Sequence, residues 1–576
     1  MREDKLIAAF EQWEQASAAL TSSVSHFFDL SVYLEAQCTT SHANSPVMIT
    51  RIDSSLDTLQ KTINQKLDYA RVALAKTRNK LASQGSILSL PLEIIAEIFR
   101  NVIYDPPSFS CSTAMPMERR VELIYSRLHC LLGVCTAWRD VGISCAGFWS
   151  VVPVVDNVSG GLRSQSIDLS LQRARDSEAL YLAMTLARNA HLTLDSLRGH
   201  LSRFSVINIH ENFFSSASLS DVLSMIFEED GPRSLSKLYL RYSGRRPARH
   251  FRQPTKPLDD SFASLQPQII NLVNSLSALR LHAVALNWAK VAFSNRLVTL
   301  QIGRISLGCQ PGINNFISAL ASATELRELA LAYIEGVLDQ DTSIPAGILV
   351  LPKLESLHLQ ALVFNILFLF IRIITPNSYN LTLDFRPGTS TGHVLAADTF
   401  MLPVAVTHNE LYPRLKGIKI GKLVLDWERD CAWDSGVNLQ ALLQTATAVK
   451  TLVLNSYKLN QATLKSLTPP LNSSPETLGR DEDFPKLEAI EIHRCTLKCP
   501  LTDLRPVFEE LLANHPIQRL VLGRFCDGSD NGAQPDSTEE NEDMIKWLEE
   551  AVPHFFWLPR QTSAPEMMDT WQLWDV

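Results

Sequence analysis

The chain has 576 residues, with 53 Lys and Arg against 61 Asp and Glu, for a formal charge of −8. Apolar residues make up 46% and charged residues 20%, the balance of a folded chain, which excludes collagen-like, mucin-like and small disulfide-rich secreted classes. The mild acidity argues against general nucleic-acid binding, which needs clustered positive charge to displace counterions. Ten Cys over this length are too sparse for a disulfide framework and read as reduced, mostly buried thiols.

The opening Met1-Arg2-Glu3-Asp4-Lys5 is too charged to begin the apolar core of a signal peptide. The most apolar stretch, Ala361 to Ile374, is interrupted by Asn365 and Arg372. It falls short of the roughly 20 apolar residues that cross a membrane, so it reads as a buried helix. The expectation is an intracellular chain in solution with no membrane partner, cytoplasm and nucleus being equally open.

Residues 1–86 carry helical spacing, broken by the polar stretch Thr39 to Pro46. Ile52, Leu56, Leu59, Ile63, Ala70, Leu74 and Leu81 recur at steps of four and three, with Lys66 and Thr77 on the same seam. Such a seam fits either a self-associating coiled coil or one arm of a helical hairpin packed on the next domain.

In residues 87–152, Ser89-Leu90-Pro91-Leu92-Glu93 has the features of a helix start: Pro suits the first turn and an acid suits its positive end. Ile94, Ile95, Ile98, Phe99 and Val102 then form an apolar stripe wider than one buried face requires. Two further helical patterns follow, Glu118 to Val134 and Trp138 to Ser144, closed by Phe148-Trp149. Leu90-Pro91, Glu93, Ile94, Ile98-Phe99, Leu131, Val134-Cys135, Trp138-Arg139-Asp140 and Trp149 follow the order and types of the F-box. The segment therefore resembles an F-box, of the form common in mushroom-type (basidiomycete) fungi. A Pro/Ser/Met-rich stretch, Asp105 to Arg120, departs from that pattern and reads as a lengthened surface loop that folding does not need.

Residues 153–525 carry a recurring apolar template. Phe204-x-x-Ile207-x-Ile209-x-x-Asn212-x-Phe214 and Leu487-x-x-Ile490-x-Ile492-x-x-Cys495-x-Leu497 match the leucine-rich repeat at every position. Further units centre on Leu238/Leu240, Leu279/Leu281, Leu300/Ile302, Leu329/Leu331, Leu357/Leu359, Ile418/Ile420, Leu452/Leu454 and Leu520/Leu522, with a weaker one at Leu381/Leu383. The intervening Asn314 to Ala323 and Leu439 to Thr447 carry helical spacing. The fold class expected is α/β: an N-terminal helical region, a three-helix F-box and a horseshoe-shaped solenoid of alternating strands and helices. A doubly wound α/β domain is the competing reading. Residues 526–576 combine an acidic Gly/Ser-rich loop, Asp527 to Asp543, with a helix from Met544 to Val552. Aromatic Phe555-Phe556-Trp557, Trp571 and Trp574 would then cap the open end of the array.

No catalytic constellation stands out, and no cofactor or metal is expected. Gly417-x-x-x-Gly421-Lys422 is followed by Leu423 and lacks the loop length and Ser/Thr of a phosphate loop. Ser144 in Gly142-Ile143-Ser144-Cys145-Ala146-Gly147 has one residue too many for a nucleophile elbow. Cys495 and Cys499 stand near His493 at a spacing zinc could use, though Cys495 already occupies an inward repeat position. Binding candidates are the residues flanking the buried Leu pairs, because alternating side chains would put them on the concave side. They include Tyr239, Arg241, Arg280, His282, His358, Gln360 and His493. A second candidate is the basic loop containing Arg245, Arg246 and Arg249, whose guanidinium groups suit phosphate or carboxylate.

The F-box resemblance implies a non-catalytic substrate receptor of an SCF-type cullin–RING ubiquitin ligase. By that resemblance Leu90, Pro91, Ile94, Ile98, Phe99, Leu131, Val134 and Trp138 dock a Skp-family adaptor and through it a cullin. The repeats then present an unknown target protein. The alternative is a leucine-rich-repeat scaffold without a ligase role.

Overall fold

The computed structural model describes residues 2–40, 46–82, 90–105, 115–155, 164–174, 179–186, 197–211, 219–228, 234–242, 265–338, 348–374, 379–386, 391–396, 400–405, 408–426, 436–469, 484–497, 499–523, 526–527, 538–558 and 571. The chain divides into two units, Met1–Pro91 and Leu92–Val576, taken here one at a time.

The first unit is helical. Helix α1 (Arg2–Thr40) spans 39 residues. Helix α2 (Pro46–Thr58) passes through a π-helical turn, Leu59–Ile63, into α3 (Asn64–Ala82). The expected break between Thr39 and Pro46 falls where α1 ends and α2 begins, and Pro46 opens its helix as its fixed φ favours. None of the side chains described in α2 is buried, and the seam residues Ile52, Leu56, Ile63 and Leu74 are exposed.

The second unit opens with three helices, α4 (Leu92–Tyr104), α5 (Met117–Val134) and α6 (Thr136–Ser144), and a 3-10 turn, Ala146–Trp149. At 3.6 residues per turn, residues four apart nearly align. Ile95, Phe99 and Ile103 therefore form one stripe of α4, and they are buried. Phe99 meets Trp138 edge-on with centroids 4.9 Å apart, and Phe148 lies 6.1 Å away. Arg120 and Arg127 donate to the carbonyls of Tyr104 (2.8 Å) and Asp105 (2.6 Å) at the C-terminal end of α4, where a cation is favourable. Asp105 to Arg120 is thus not all loop. Met117 to Arg120 belong to α5, with Met117 fully buried and Arg120 bonded back to Tyr104. Residues 106–114 lie outside the described residues.

The rest is α/β. The long sheet begins with β1 (Val151–Val154), β2 (Leu180–Leu186), β3 (Phe204–Glu211), β4 (Lys237–Tyr242), β5 (Ala278–His282), β6 (Thr299–Ser306), β7 (Glu328–Glu335), β8 (Ser356–Gln360) and β9 (Asn380–Phe385). An antiparallel hairpin, β10 (Thr391–Ala396) and β11 (Phe400–Ala405), is inserted next. The sheet resumes with β12 (Ile420–Asp426), β13 (Thr451–Asn455), β15 (Ala489–His493), β17 (Arg519–Gly523) and β19 (His554–Leu558). The short strands β14 (Lys458–Leu459), β16 (Thr496–Leu497) and β18 (Cys526–Asp527) form a minor parallel sheet. All fourteen strands of the long sheet are parallel and neighbours in sequence order, a solenoid-like arrangement. Right-handed crossovers in that order keep the connecting helices on one face. Leu329 and Leu331 of β7 and Leu357 and Leu359 of β8 point into one core with Ile313 and Phe316 of helix Gln310–Ala321 and with Ile366 and Phe370 of helix Phe364–Ile373. The stretch Ala361 to Ile374 is accordingly a buried helix. Among the described residues no helix is long and apolar enough to cross a membrane.

Three expectations move. The repeat read at Ile418/Ile420 is centred instead on Leu423/Leu425, because the strand begins at Ile420. Pairing slips there by one residue: Leu381 lies beside Ile420, but Leu383 lies beside Leu423 and Phe385 beside Leu425, with Gly421 taken up as a bulge. Phe555 to Trp557, expected to cap the array, form its last strand, paired to β17. The acidic stretch ends inside helix Thr538–Ala551, which includes Glu542 and Asp543. Residues 528–537 lie outside the described residues.

A device recurs at or near the strand ends. Ala283, Arg304, Tyr333, Ala361, Ser456 and Arg494 all adopt positive φ, between 48° and 61°. The N–H of Ala283 donates to Gly303 O (2.8 Å), that of Ala361 to Asp384 O (2.8 Å) and that of Ser456 to His493 O (2.9 Å). A left-handed residue costs about 1–2 kcal/mol without Gly. Ala283, Ala361 and Ser456 follow the last residue of their strands and extend the ladder by one bond, whereas Arg304 and Tyr333 lie inside β6 and β7, whose pairing resumes after them.

Because Phe99 is a core ring, Phe99→Ala is expected to destabilise the second unit by about 3–5 kcal/mol. Ile94→Ala, at an exposed position, is expected to change stability by less than about 1 kcal/mol. Urea unfolding of both variants checks this pair.

Candidate functional site

Two surfaces gather the predicted residues. The first lies on the helices. One residue before each member of the buried stripe, Ile94, Ile98 and Val102 form a second stripe about 100° around α4. Ile94 is 49% exposed and Val102 45%, while Ile98 is half-buried. Leu92 (64%), Val134 (60%) and Ile143 are further exposed apolar side chains of this unit. Leu90 and Pro91, which precede the helix, are exposed too. Phe99 and Leu131, expected on the docking face, are buried and hold the three helices together. Trp138 is half-buried against Phe99. Sequence reasoning found the doubled stripe but missed Leu92 and Ile143 as surface groups. Ile94, Ile98 and Val102 share the i, i+4, i+8 spacing of the buried Ile95, Phe99 and Ile103, so spacing marks two stripes but not which of them faces outward.

The second surface is the sheet face opposite the helices. Register sets Asn208, Tyr239, Arg280 and Gln301 side by side on successive strands, and two residues on, His210, Arg241 and His282. The His210 ring meets Tyr239 edge-on at 4.8 Å, and the Arg280 guanidinium lies 4.9 Å from the same ring. Tyr239 and Arg280 are each only 1% exposed, and His282, Gln360 and His493 are buried as well. The column expected to stand open is therefore closed. Strands about 4.8 Å apart bring like positions together, and long side chains laid in rows cover one another. Arg241 and His358 remain half-buried, and Arg304 is exposed. Arg245, Arg246 and Arg249 lie outside the described residues.

Burial, with Arg241 and Arg280 nearby, pushes the His210 pKa down to about 3. Burial with Arg241, Arg304 and His210 does the same to His282, also to about 3. His358 is lowered to about 4 by burial, Lys422 and Arg386. These imidazoles are neutral at pH 7. Among the described residues, no hydrogen-bond partner meets His210 Nε2 or His282 Nδ1, so a proton added there would bring charge into a dry site.

Beyond β8 an ionic cluster occupies the same face. Gln360 Nε2 donates to Asp384 Oδ2 (2.8 Å), and Arg386 Nε donates to Asp384 Oδ1 (3.1 Å). Arg386 also reaches Asp426 at 3.4 Å, across the slipped β9–β12 register. Sequence reasoning missed this cluster. Its only signal is an Asp directly after the Leu-x-Leu of two units, Leu381-x-Leu383-Asp384 and Leu423-x-Leu425-Asp426. On β15, burial raises the Glu491 pKa, but His493, Lys422 and Arg519 outweigh it, leaving the carboxylate below its ordinary value.

Cys495 is buried and its thiol donates to His493 O at 3.2 Å. Among the described residues no group of three or more His, Cys, Asp or Glu is placed to hold a metal ion. Comparisons with protein-family models and with curated proteins find no match to this chain.

The buried imidazoles make stability depend on pH. Below about pH 6.5 the unfolded chain takes up protons that His210, His282 and His358 refuse, so their contribution is complete above that pH and lost as pH falls. Glu335, raised to about 7 by burial, acts in the opposite sense, contributing below its ordinary 4.5 and losing that contribution as pH rises through 7. The three imidazoles outweigh Glu335 between about pH 6 and 5, so stability is expected to fall over that interval. Urea unfolding at the two pH values measures it, and His282→Gln is expected to flatten the slope.

Proposed function

We propose that this chain is a non-catalytic substrate receptor of the SCF type, an F-box joined to a leucine-rich-repeat solenoid. The observation that carries the reading is the exposed outer stripe of α4, Ile94 and Val102, on a helix whose other stripe already completes its own core. An exposed apolar stripe on a fully packed helical unit is a surface for another protein. Ile94 and Ile98 of that stripe are among the residues that carry the F-box resemblance, for which the matching partner is a Skp-family adaptor bound in turn to a cullin. Docking is then assigned to Ile94, Ile98, Val102 and Val134, while Phe99 and Leu131 support that face from behind. The chain would act by holding a target close to the ubiquitin-charged enzyme and orienting it, which raises effective concentration.

Target recognition is assigned to the accessible rim of the polar sheet face. Arg241 and Arg304 both bear on His282 there, and Arg304 stacks 5.2 Å from the Tyr333 ring. Two guanidinium groups beside a neutral, buried row favour an acidic segment, phosphorylated or rich in Asp and Glu.

Ile94→Asp with Val102→Asp is expected to abolish capture of the adaptor and the cullin while costing less than about 2 kcal/mol of unfolding free energy, so that the chain stays folded. Adaptor capture at the parent level would refute the docking assignment, and recovery of the adaptor without any cullin would favour a scaffold. Arg241→Glu with Arg304→Glu is expected to release the target and spare the adaptor. Affinity capture with ligase and proteasome activity blocked reads both, and phosphatase treatment of the lysate separates a phosphorylated target from an acidic one.

A further inference from the structure

The seam singled out in the sequence lies on α2 and α3, but the more regular one is on α1. Trp13, Leu20, Phe27 and Leu34 recur at intervals of seven, and between them Phe10, Ser17, Val24, Ser31 and Cys38 recur at the same interval. The two sets interleave at alternating steps of three and four without a break, the period at which helices supercoil about one another. Every large apolar member of both sets is exposed, as are the flanking Ile7, Phe28 and Leu30. At on the order of 100 Å² for each such side chain, two copies would bury on the order of 1,500 Å², within the range of a stable interface.

We propose that α1 is a self-association helix, paired in parallel and in register with α1 of a second copy of this chain. Self-pairing in that sense sets Ser17 against Ser17 and Ser31 against Ser31, so the two polar layers match and the large residues of the other set meet their own kind. An antiparallel pairing would put Ser17 beside Phe27 and Ser31 beside Trp13. The other helical stretch of the unit is a poorer match. Its stripe carries Lys66 and Thr77, and the π-helical turn Leu59–Ile63 takes up an extra residue that rotates the stripe midway. An unbroken stripe of period 3.5 stays in contact only with a partner of the same period. Ser at two positions of the seam costs affinity and selects register, the use best established for polar seam residues.

The full-length chain tests this directly. Light scattering after size exclusion is expected to give twice the 64.3 kDa of one chain, and Leu20→Asp with Phe27→Asp is expected to return it to one. Ser17→Val with Ser31→Val should lower the dissociation midpoint on dilution at least tenfold, a gain that a damaged fold does not imitate. Mild oxidation should link the dimer through Cys38, each thiol giving up a proton and an electron to the oxidant, and Cys38→Ser should remove the link. A monomeric parent chain, or a dimer indifferent to both seam variants, overturns the proposal. A dimer that never links through Cys38 overturns the parallel register.

Discussion

A strand with leucines on one side has nowhere to put them until a neighbour arrives, and a single strand–helix unit of this chain has too little apolar surface to fold alone. Stacking relieves that constraint, and the second unit is arranged around it. One core runs without interruption from Ile95 in the first of its helices to Trp571 near the end of the chain. The ends of such a stack are exposed by construction. Here the three helices precede the first strand directly, with Trp149 buried beside β1, and β19 brings Phe555, Phe556 and Trp557 to the opposite edge.

The face turned away from the helices obeys a different constraint. Its side chains are polar and long, and they are brought within contact distance of their counterparts on the next strand whether or not they suit one another. The result is a sorted surface. Imidazoles are kept neutral among Arg side chains in the β3–β6 rows, and a carboxylate–guanidinium cluster forms where Asp384, Arg386 and Asp426 converge. Burying charge is costly unless it is paired and hydrogen-bonded, so that cluster contributes order more than stability. It follows that the face is not an empty groove awaiting a ligand. Among the described residues Arg241, His358, Lys422 and Glu491 stay half-buried and Arg304 exposed, and these are the groups a partner could reach.

Much of this was legible in the residues, for a physical reason. Alternation of apolar residues is enforced by the strand itself, so Leu279/Leu281 or Leu452/Leu454 announce a strand wherever they occur. The helices at Gln310–Ala321 and Phe364–Ile373 were equally plain, the first from apolar residues at helical spacing on one face and the second from a nearly continuous apolar run. What stayed hidden depends on partners. Phe99 and Ile98 are adjacent apolar residues, and only the packing of Trp138 and Phe148 decides which faces inward. The column at Tyr239, Arg280 and His282 was correctly placed on one face, but its closure comes from neighbouring rows, which no single unit encodes. The left-handed turns fall on Ala, Arg, Tyr, Ala, Ser and Arg, none of them a residue that advertises such a backbone.

The one-residue slip between β9 and β12 has a mechanical consequence. The extra residue is taken up within β12, and the inward rows resume at once, Leu383 beside Leu423 and Phe385 beside Leu425. Here the rows that carry Gln360 and Asp384 run on into Val424 and Val453, which pack together apart from the main core. A bulge bends its own strand locally, so the stack turns at Gly421, where a side chain would strike Asn380. Arg386, held to Asp384 on one side and Asp426 on the other, is the rivet across that turn.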